Sequence, residues 1–240
     1  MAGSSLGGGH LTVSLQRTAG AVALLQAAAF LATGVFGVAV LPTLGISGSD
    51  AFRDPARVLP VGNSPLLWLS HLPNVLFSLT LVVLALALAD RLHGQTPMLT
   101  RLSVAAAVVA SAAFLALGIV RMVGIPELAR LSAEGQAAAG PAYLALNIMT
   151  HGFQIAGIFA WGWWALLGGW AALRTAELPR LLSYFGLLWG VVGILAFAVA
   201  PFSLVGALIG LVWSVWLGVV LVREPARRDG APVAPAGTPI

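Results

Sequence analysis

Residues 181–222 carry no charged side chain, and this run constrains the fold more than any other feature of the chain. As one helix it would measure about 63 Å, twice the roughly 30 Å hydrocarbon core of a bilayer. It must therefore fold back on itself. The break is AVAPFS, where Pro201 has no backbone N–H with which to continue the preceding helix. The run reads as two antiparallel spans, near 181–200 and 202–222, joined by a tight hairpin.

Composition fixes the solvent. With 59% hydrophobic and 8% charged residues and a mean hydropathy of +0.97, the 240-residue chain has too little polar surface to coat a water-soluble globule. Four more apolar runs, near 19–41, 65–89, 102–120 and 142–170, are each long enough for a span. The expected fold is all-α: a polytopic membrane bundle of six transmembrane helices over residues 18–222. The first run exceeds the roughly 7–15 residues of a secretory signal core. The flanks, 1–17 and 223–240, are rich in Gly, Pro and Ala without apolar periodicity, and are expected to be disordered.

Arginine sets the orientation, because the chain has no lysine. Eight arginines fall on one side: Arg17, Arg91, Arg101, Arg174, Arg180, Arg223, Arg227 and Arg228. Four, Arg53, Arg57, Arg121 and Arg130, fall on the other. The richer side is cytoplasmic by the positive-inside rule, so both termini are expected there. Arginines scattered near span ends are topology signals and do not form a nucleic-acid surface. Lysine-free, Ala-, Gly- and Arg-rich usage suggests a GC-rich bacterial genome, hence a bacterial plasma membrane.

Several chemistries find no support. Cysteine is absent, which removes disulfides, thiolate metal sites and cysteine nucleophiles. There is neither an HExxH pair nor a Walker loop. GISG, Gly45 to Gly48, matches the GxSG of rhomboid-type proteases only superficially, since Ser47 falls in a loop. Asp50, Asp54, Asp90, Glu127, Glu134, Glu177, Glu224 and Asp229 all lie outside the expected spans, whereas ion-coupled carriers bury carboxylates. A non-enzymatic membrane component is the leading expectation.

Its candidate site is a polar stripe. Asn147, His151 and Gln154 share one helix face at i, i+4 and i+7. His71, Asn74 and Ser78 do the same at i, i+3 and i+7 on the second span, and the two histidines lie at similar depth, roughly 10 and 14 Å below the outer helix ends. Arg121 approaches from the third span, and Pro73 breaks the backbone pattern beside His71. The candidate ligand-binding residues are thus His71, Asn74, Arg121, Asn147, His151 and Gln154, lining a small-ligand or lipid pocket open to the outer face. The competing reading is packing, in which such groups hydrogen-bond one another for about 0.6–2 kcal/mol each. No cofactor or metal is expected; the alternative is a bis-histidine haem on His71 and His151, or a quinone-interacting redox subunit, with a small transporter as a third reading.

Seven of the eight tryptophans, Trp161, Trp163, Trp164, Trp170, Trp189, Trp213 and Trp216, crowd the last three spans and read as an interfacial belt in one leaflet. GLLWG and GALIG place Gly186, Gly190, Gly206 and Gly210 in GxxxG patterns, which serve either the hairpin or a homo-oligomer face.

HGFQIAGIFAWGWWALLGGWAALRTAELPRLLSYFGLLWGVVGIL, running from His151 to Leu195, resembles a family of six-helix bacterial membrane proteins, the domain of unknown function of DUF-4386 type. His151, Gly152 and Phe153 at the start of the fourth span, Leu178, Pro179 and Arg180 in the joint, Gly186 in the fifth span, and RTAG from Arg17 to Gly20 carry the resemblance. The first outer loop, SGSDAFRDPARVLP, matches the family pattern loosely. The resemblance implies the six-helix architecture and no particular reaction.

The orientation has a direct test. Cysteines introduced at Ser5 and Ala234 should be protected from a membrane-impermeant maleimide in intact cells, and one at Ser49 should be labelled. Labelling at either terminus would contradict the span count or the orientation.

Overall fold

The computed structural model describes residues 8–47, 51–94, 96–196 and 201–223. Every regular element among the described residues is helical. α1 runs over Gly8–Val35 and continues through a π-helical turn, Phe36–Val40, and a 3-10 turn, Leu41–Leu44. The connection to the next long helix is built from short pieces: a 3-10 turn at Ala51–Arg53, α2 at Pro55–Val58, a 3-10 turn at Leu59–Val61, and α3 at Pro65–Leu69. Then follow α4 (Leu72–Leu92), α5 (Pro97–Ala133), α6 (Ala139–Thr175), α7 (Arg180–Leu195) and α8 (Pro201–Arg223).

α1 starts at Gly8, so the last ten residues of the stretch expected to be disordered are helical. Residues 1–7 and 224–240, loop residues 48–50 and hairpin residues 197–200 lie outside the described residues.

Four segments are long and apolar enough to cross a membrane: Arg17–Leu44, Pro65–Leu92, Pro97–Ala133 and Ala139–Thr175. α7 and α8 supply two shorter apolar helices. The six long helices close a ring. α1 packs on α4 and α8, α4 on α5, α5 on α6, α6 on α7, and α7 on α8.

The ring is filled by aromatic side chains, and each of its helices contributes. Trp161 of α6 is the hub: Phe30 of α1 stacks on it at 5.0 Å, Phe77 of α4 meets it edge-on at 5.0 Å, and Trp189 of α7 does so at 4.1 Å. Phe114 of α5 stands 6.3 Å away. Trp164 of α6 and Trp213 of α8 extend the cluster at 5.5 Å from each other. Offset and edge-to-face pairs of this kind add to the area that the rings bury. The interfacial-belt expectation is corrected for these residues: Trp161, Trp164, Trp189 and Trp213 are core, while Trp163 and Trp170 remain exposed. Trp213 Nε1 donates to the Leu182 carbonyl at 3.2 Å, so one buried indole N–H is satisfied across the α7–α8 pair.

Glycine lets the backbones meet. Gly20 of α1 lies against Gly218 and Val222 of α8, and Gly162 and Gly169 of α6 lie against the α7 backbone. The four GxxxG glycines also face neighbours within the chain: Gly186 meets Gly169 and Trp213, Gly190 meets Leu166, Gly206 meets Val192, and Gly210 meets Trp189 and Trp161.

α5 and α6 have 37 residues each, about 56 Å, well beyond a roughly 30 Å hydrocarbon core. Their joined ends, where Gly135 adopts the left-handed φ of 77° in the turn, carry a second apolar cluster. In it Leu41, Ile46, Val58, Leu59 and Leu67 of the α1–α4 connection pack on Ile125, Ala139 and Tyr143. This is the capped end of the bundle. At the opposite end, Arg91 of α4 donates through Nη2 to the Glu177 carbonyl at 2.8 Å, fastening α4 to the α6–α7 joint.

The close contacts rank the glycines. A Cβ at Gly190 would stand 2.5 Å from the Leu166 backbone N and 2.7 Å from its Cα, so neither atom can swing away. Gly190→Leu should destabilise the protein by about 1–3 kcal/mol or more in thermal unfolding in detergent. Gly34→Ala, where nothing lies within 4 Å, should be neutral or slightly stabilising.

Candidate functional site

The ring is tight at one end and open at the other. α1 and α8 touch at Gly20 and Gly218, whereas toward the capped end Gly34 and Gly37 of α1 have no atom of the described residues within 4 Å of where a Cβ would stand. There a cavity of about 750 Å³ opens inside the bundle, within the ~300–1,000 Å³ usual for small-molecule sites. Its floor is the aromatic cluster of Phe30, Phe77, Phe114, Trp161 and Trp189. Small residues, Ala29, Gly34, Gly193 and Gly206, leave the space above that floor unfilled. Leu31 and Val35 of α1 and Leu208 and Leu211 of α8 also line it.

Two amides interrupt the apolar lining. Asn74 comes from the first turn of α4, and Gln154 from the middle of α6. Both are half-buried. An amide offers both donor and acceptor atoms.

The remaining sequence candidates divide. The helix breaks at Ser70 and His71, between α3 and α4, and this break buries His71 to 4% exposure with its Nε2 unpartnered. Arg121 of α5 follows by three residues Gly118, whose Cβ position would lie 3.5 Å from the His71 carbonyl. Arg121 Nε donates to Thr150 Oγ1 at 3.2 Å, and its guanidinium carbon lies 6.0 Å from the centre of the Phe52 ring. Thr150 Oγ1 in turn donates to the Asn147 carbonyl at 3.1 Å. Asn147 thus contributes its backbone here. Tyr143 Oη donates to the Phe52 carbonyl at 2.6 Å and holds that ring over the corner.

His151 stands apart. It is exposed, on a face of α6 that it shares with Ile148, which is 74% exposed. The six residues therefore do not converge on one surface. Asn74 and Gln154 share the cavity, and His71 and Arg121 share the corner one helical turn nearer the cap, whereas His151 does not line the cavity. The opposed imidazoles that a bis-histidine haem requires are not present in this arrangement. Ser78, from the same stripe as His71, bonds locally to the Val75 carbonyl at 2.7 Å, and its own carbonyl accepts from Ser111 of α5, also at 2.7 Å.

Two polar residues carry no signal in the spacing argument. Gln26 of α1 and Ser214 of α8 are both 0% exposed, and their side-chain polar atoms have no hydrogen-bond partner. Each lies one turn from a residue in contact with Trp161, namely Phe30 and Gly210. Trp161 Nε1 is itself unpartnered. A lone glutamine in an otherwise apolar span is the one sequence feature that marks this layer.

Residues 18–223 match a family described as Domain of unknown function (DUF4386). The chain belongs to this family. No curated protein and no solved structure matches the chain. As a DUF4386 protein it has the all-helical, membrane-type body expected from the His-Gly-Phe and Leu-Pro-Arg segments. Leu178 is buried, and Pro179 caps the start of α7.

Proposed function

We propose that this DUF4386 protein is a non-enzymatic component of the bacterial plasma membrane, with six spans and both termini cytoplasmic, that binds a lipophilic small molecule or lipid from the outer leaflet. The observation that carries the reading is the 750 Å³ cavity, whose mostly apolar walls carry Asn74, Gln154 and Thr33, the last bonded to its own helix at the Ala29 carbonyl. An apolar chain gains by leaving the headgroup region for such walls. Two amides fix the orientation of a ligand that has a hydroxyl, carbonyl or amide group. The exposure of Leu31, Val35, Val38 and Leu208 in the cavity wall supports access from the side, through the lipid phase. With the arginine-poor side outward, the capped end is extracellular.

The test uses the tryptophans already in the cavity wall. In a mild non-ionic detergent, 9,10-dibromostearyl alcohol should quench fluorescence from Trp161 and Trp189 saturably, at one equivalent per chain. Gly34→Phe, which places a ring in open space beside the cavity, should weaken this binding at least about tenfold without lowering the thermal midpoint. Quenching that never saturates and is the same in both proteins would contradict a bound ligand.

A further inference from the structure

Among the described residues, Arg121 has no carboxylate partner. The ion pairs among the described residues are Arg57 with Asp54, Arg91 with Glu177, and Arg130 with both Glu127 and Glu134. The carboxylates described at the capped end are thus committed elsewhere, and Asp54 also caps α2 by accepting from Ala56 N at 3.0 Å. Arg121 is only partly accessible, and Thr150, its hydrogen-bond partner among the described residues, is neutral. The Phe52 ring supplies a weak cation–π contact at 6.0 Å. A guanidinium removed from bulk water in this way needs an anion or ordered water for its remaining donors.

A second observation points into the same corner. His71 is buried, and among the described residues its Nε2 has no partner. Gly118 of α5 makes the approach close: a Cβ there would stand 3.5 Å from the His71 carbonyl, and Arg121 follows three residues later. With the Nε2–H tautomer, His71 adds a donor to those of Arg121. An acceptor-only group, a carboxylate or a phosphate, satisfies both residues, and charge-assisted bonds of this type are stronger than neutral ones.

The corner adjoins the cavity. Leu117, which lines the cavity, precedes Arg121 by one turn of α5, and Asn74 follows His71 by about one turn of α4. We infer that the corner formed by Arg121 and His71 binds the anionic head of a lipid whose apolar chain lies in the cavity. This rests on the cavity's being a ligand site and gives its ligand a class, an anionic amphiphile bearing a carboxylate or phosphate. A free anion would use the corner alone, whereas a lipid anion uses the corner and the apolar cavity together.

The same fluorescence assay separates head from tail. At about pH 8.5, where the carboxylate is ionised, wild-type protein should bind 9,10-dibromostearate about tenfold or more tightly than 9,10-dibromostearyl alcohol. Arg121→Gln should abolish that preference yet keep its affinity for the alcohol, which shows that the cavity is intact. Arg121→Lys should retain part of the preference, since it keeps the charge and loses the planar fork. His71→Gln should reduce it severalfold. Equal affinity of the wild type for both probes overturns the anion site and leaves the cavity reading standing; no saturable binding of either probe removes both. Excess inorganic phosphate should leave dibromostearate binding unchanged, and displacement by phosphate would mean that the corner is a free-anion site and overturn the lipid assignment.

Discussion

Six helices direct aromatic rings to one region of the bundle, and the rest of the structure depends on that convergence. Between membrane helices the hydrophobic effect supplies little attraction, because lipid tails are as apolar as the side chains they would replace. Close packing has to hold the helices together. Phe30, Phe77 and Trp189 surround Trp161 at 4.1–5.0 Å, and the glycines of α6 and α7 bring two backbones into contact beside them. The rings fix which helices are neighbours, and the glycines fix how near those neighbours come.

That convergence also creates the cavity. The aromatic layer occupies the full width of the ring at one level, so the helices above it are spaced by bulky side chains that they do not themselves carry. Where Ala29, Gly34, Gly193 and Gly206 replace rings, the space stays open. The capping segments then pack on the extended ends of α5 and α6, with Phe52 placed over Arg121 and anchored through Tyr143. The apolar chamber and the polar corner beside it are thus successive layers of one packing arrangement.

Much of the fold is legible in the sequence, because a hydrocarbon solvent permits little besides helices with satisfied backbones. The uncharged run 181–222 shows its own fold-back at Pro201. Periodicity is weaker evidence for the site. Asn147, His151 and Gln154 lie within about 60° of one another around the helix, but the boundary between buried and exposed faces of α6 passes through that arc. Gln154 falls inside it and His151 outside. Spacing shows that residues share a face without showing which way the face turns. The tryptophans mislead for a related reason: indole suits both an interface and a core, and only the convergence of four partner helices on Trp161 decides between them. Gln26 and Ser214 are invisible to a spacing argument because neither belongs to a polar stripe in its own span, and each lies on a helix of the α1–α8 pair.

Ring closure between the first and last helices is therefore the central claim, since the aromatic layer and the cavity both presuppose it. Leu24 of α1 lies over Gly218 of α8, with its Cγ 2.8 Å from where a Cβ on that glycine would stand. The chain has no cysteine of its own to confuse the result. The measurement is oxidative cross-linking of the double variant Leu24→Cys with Gly218→Cys in native membranes, read by mass spectrometry after proteolysis. The account predicts rapid formation of a disulfide within one chain, joining the peptides that contain positions 24 and 218. Failure to cross-link, or disulfides formed only between two chains, would contradict a closed ring.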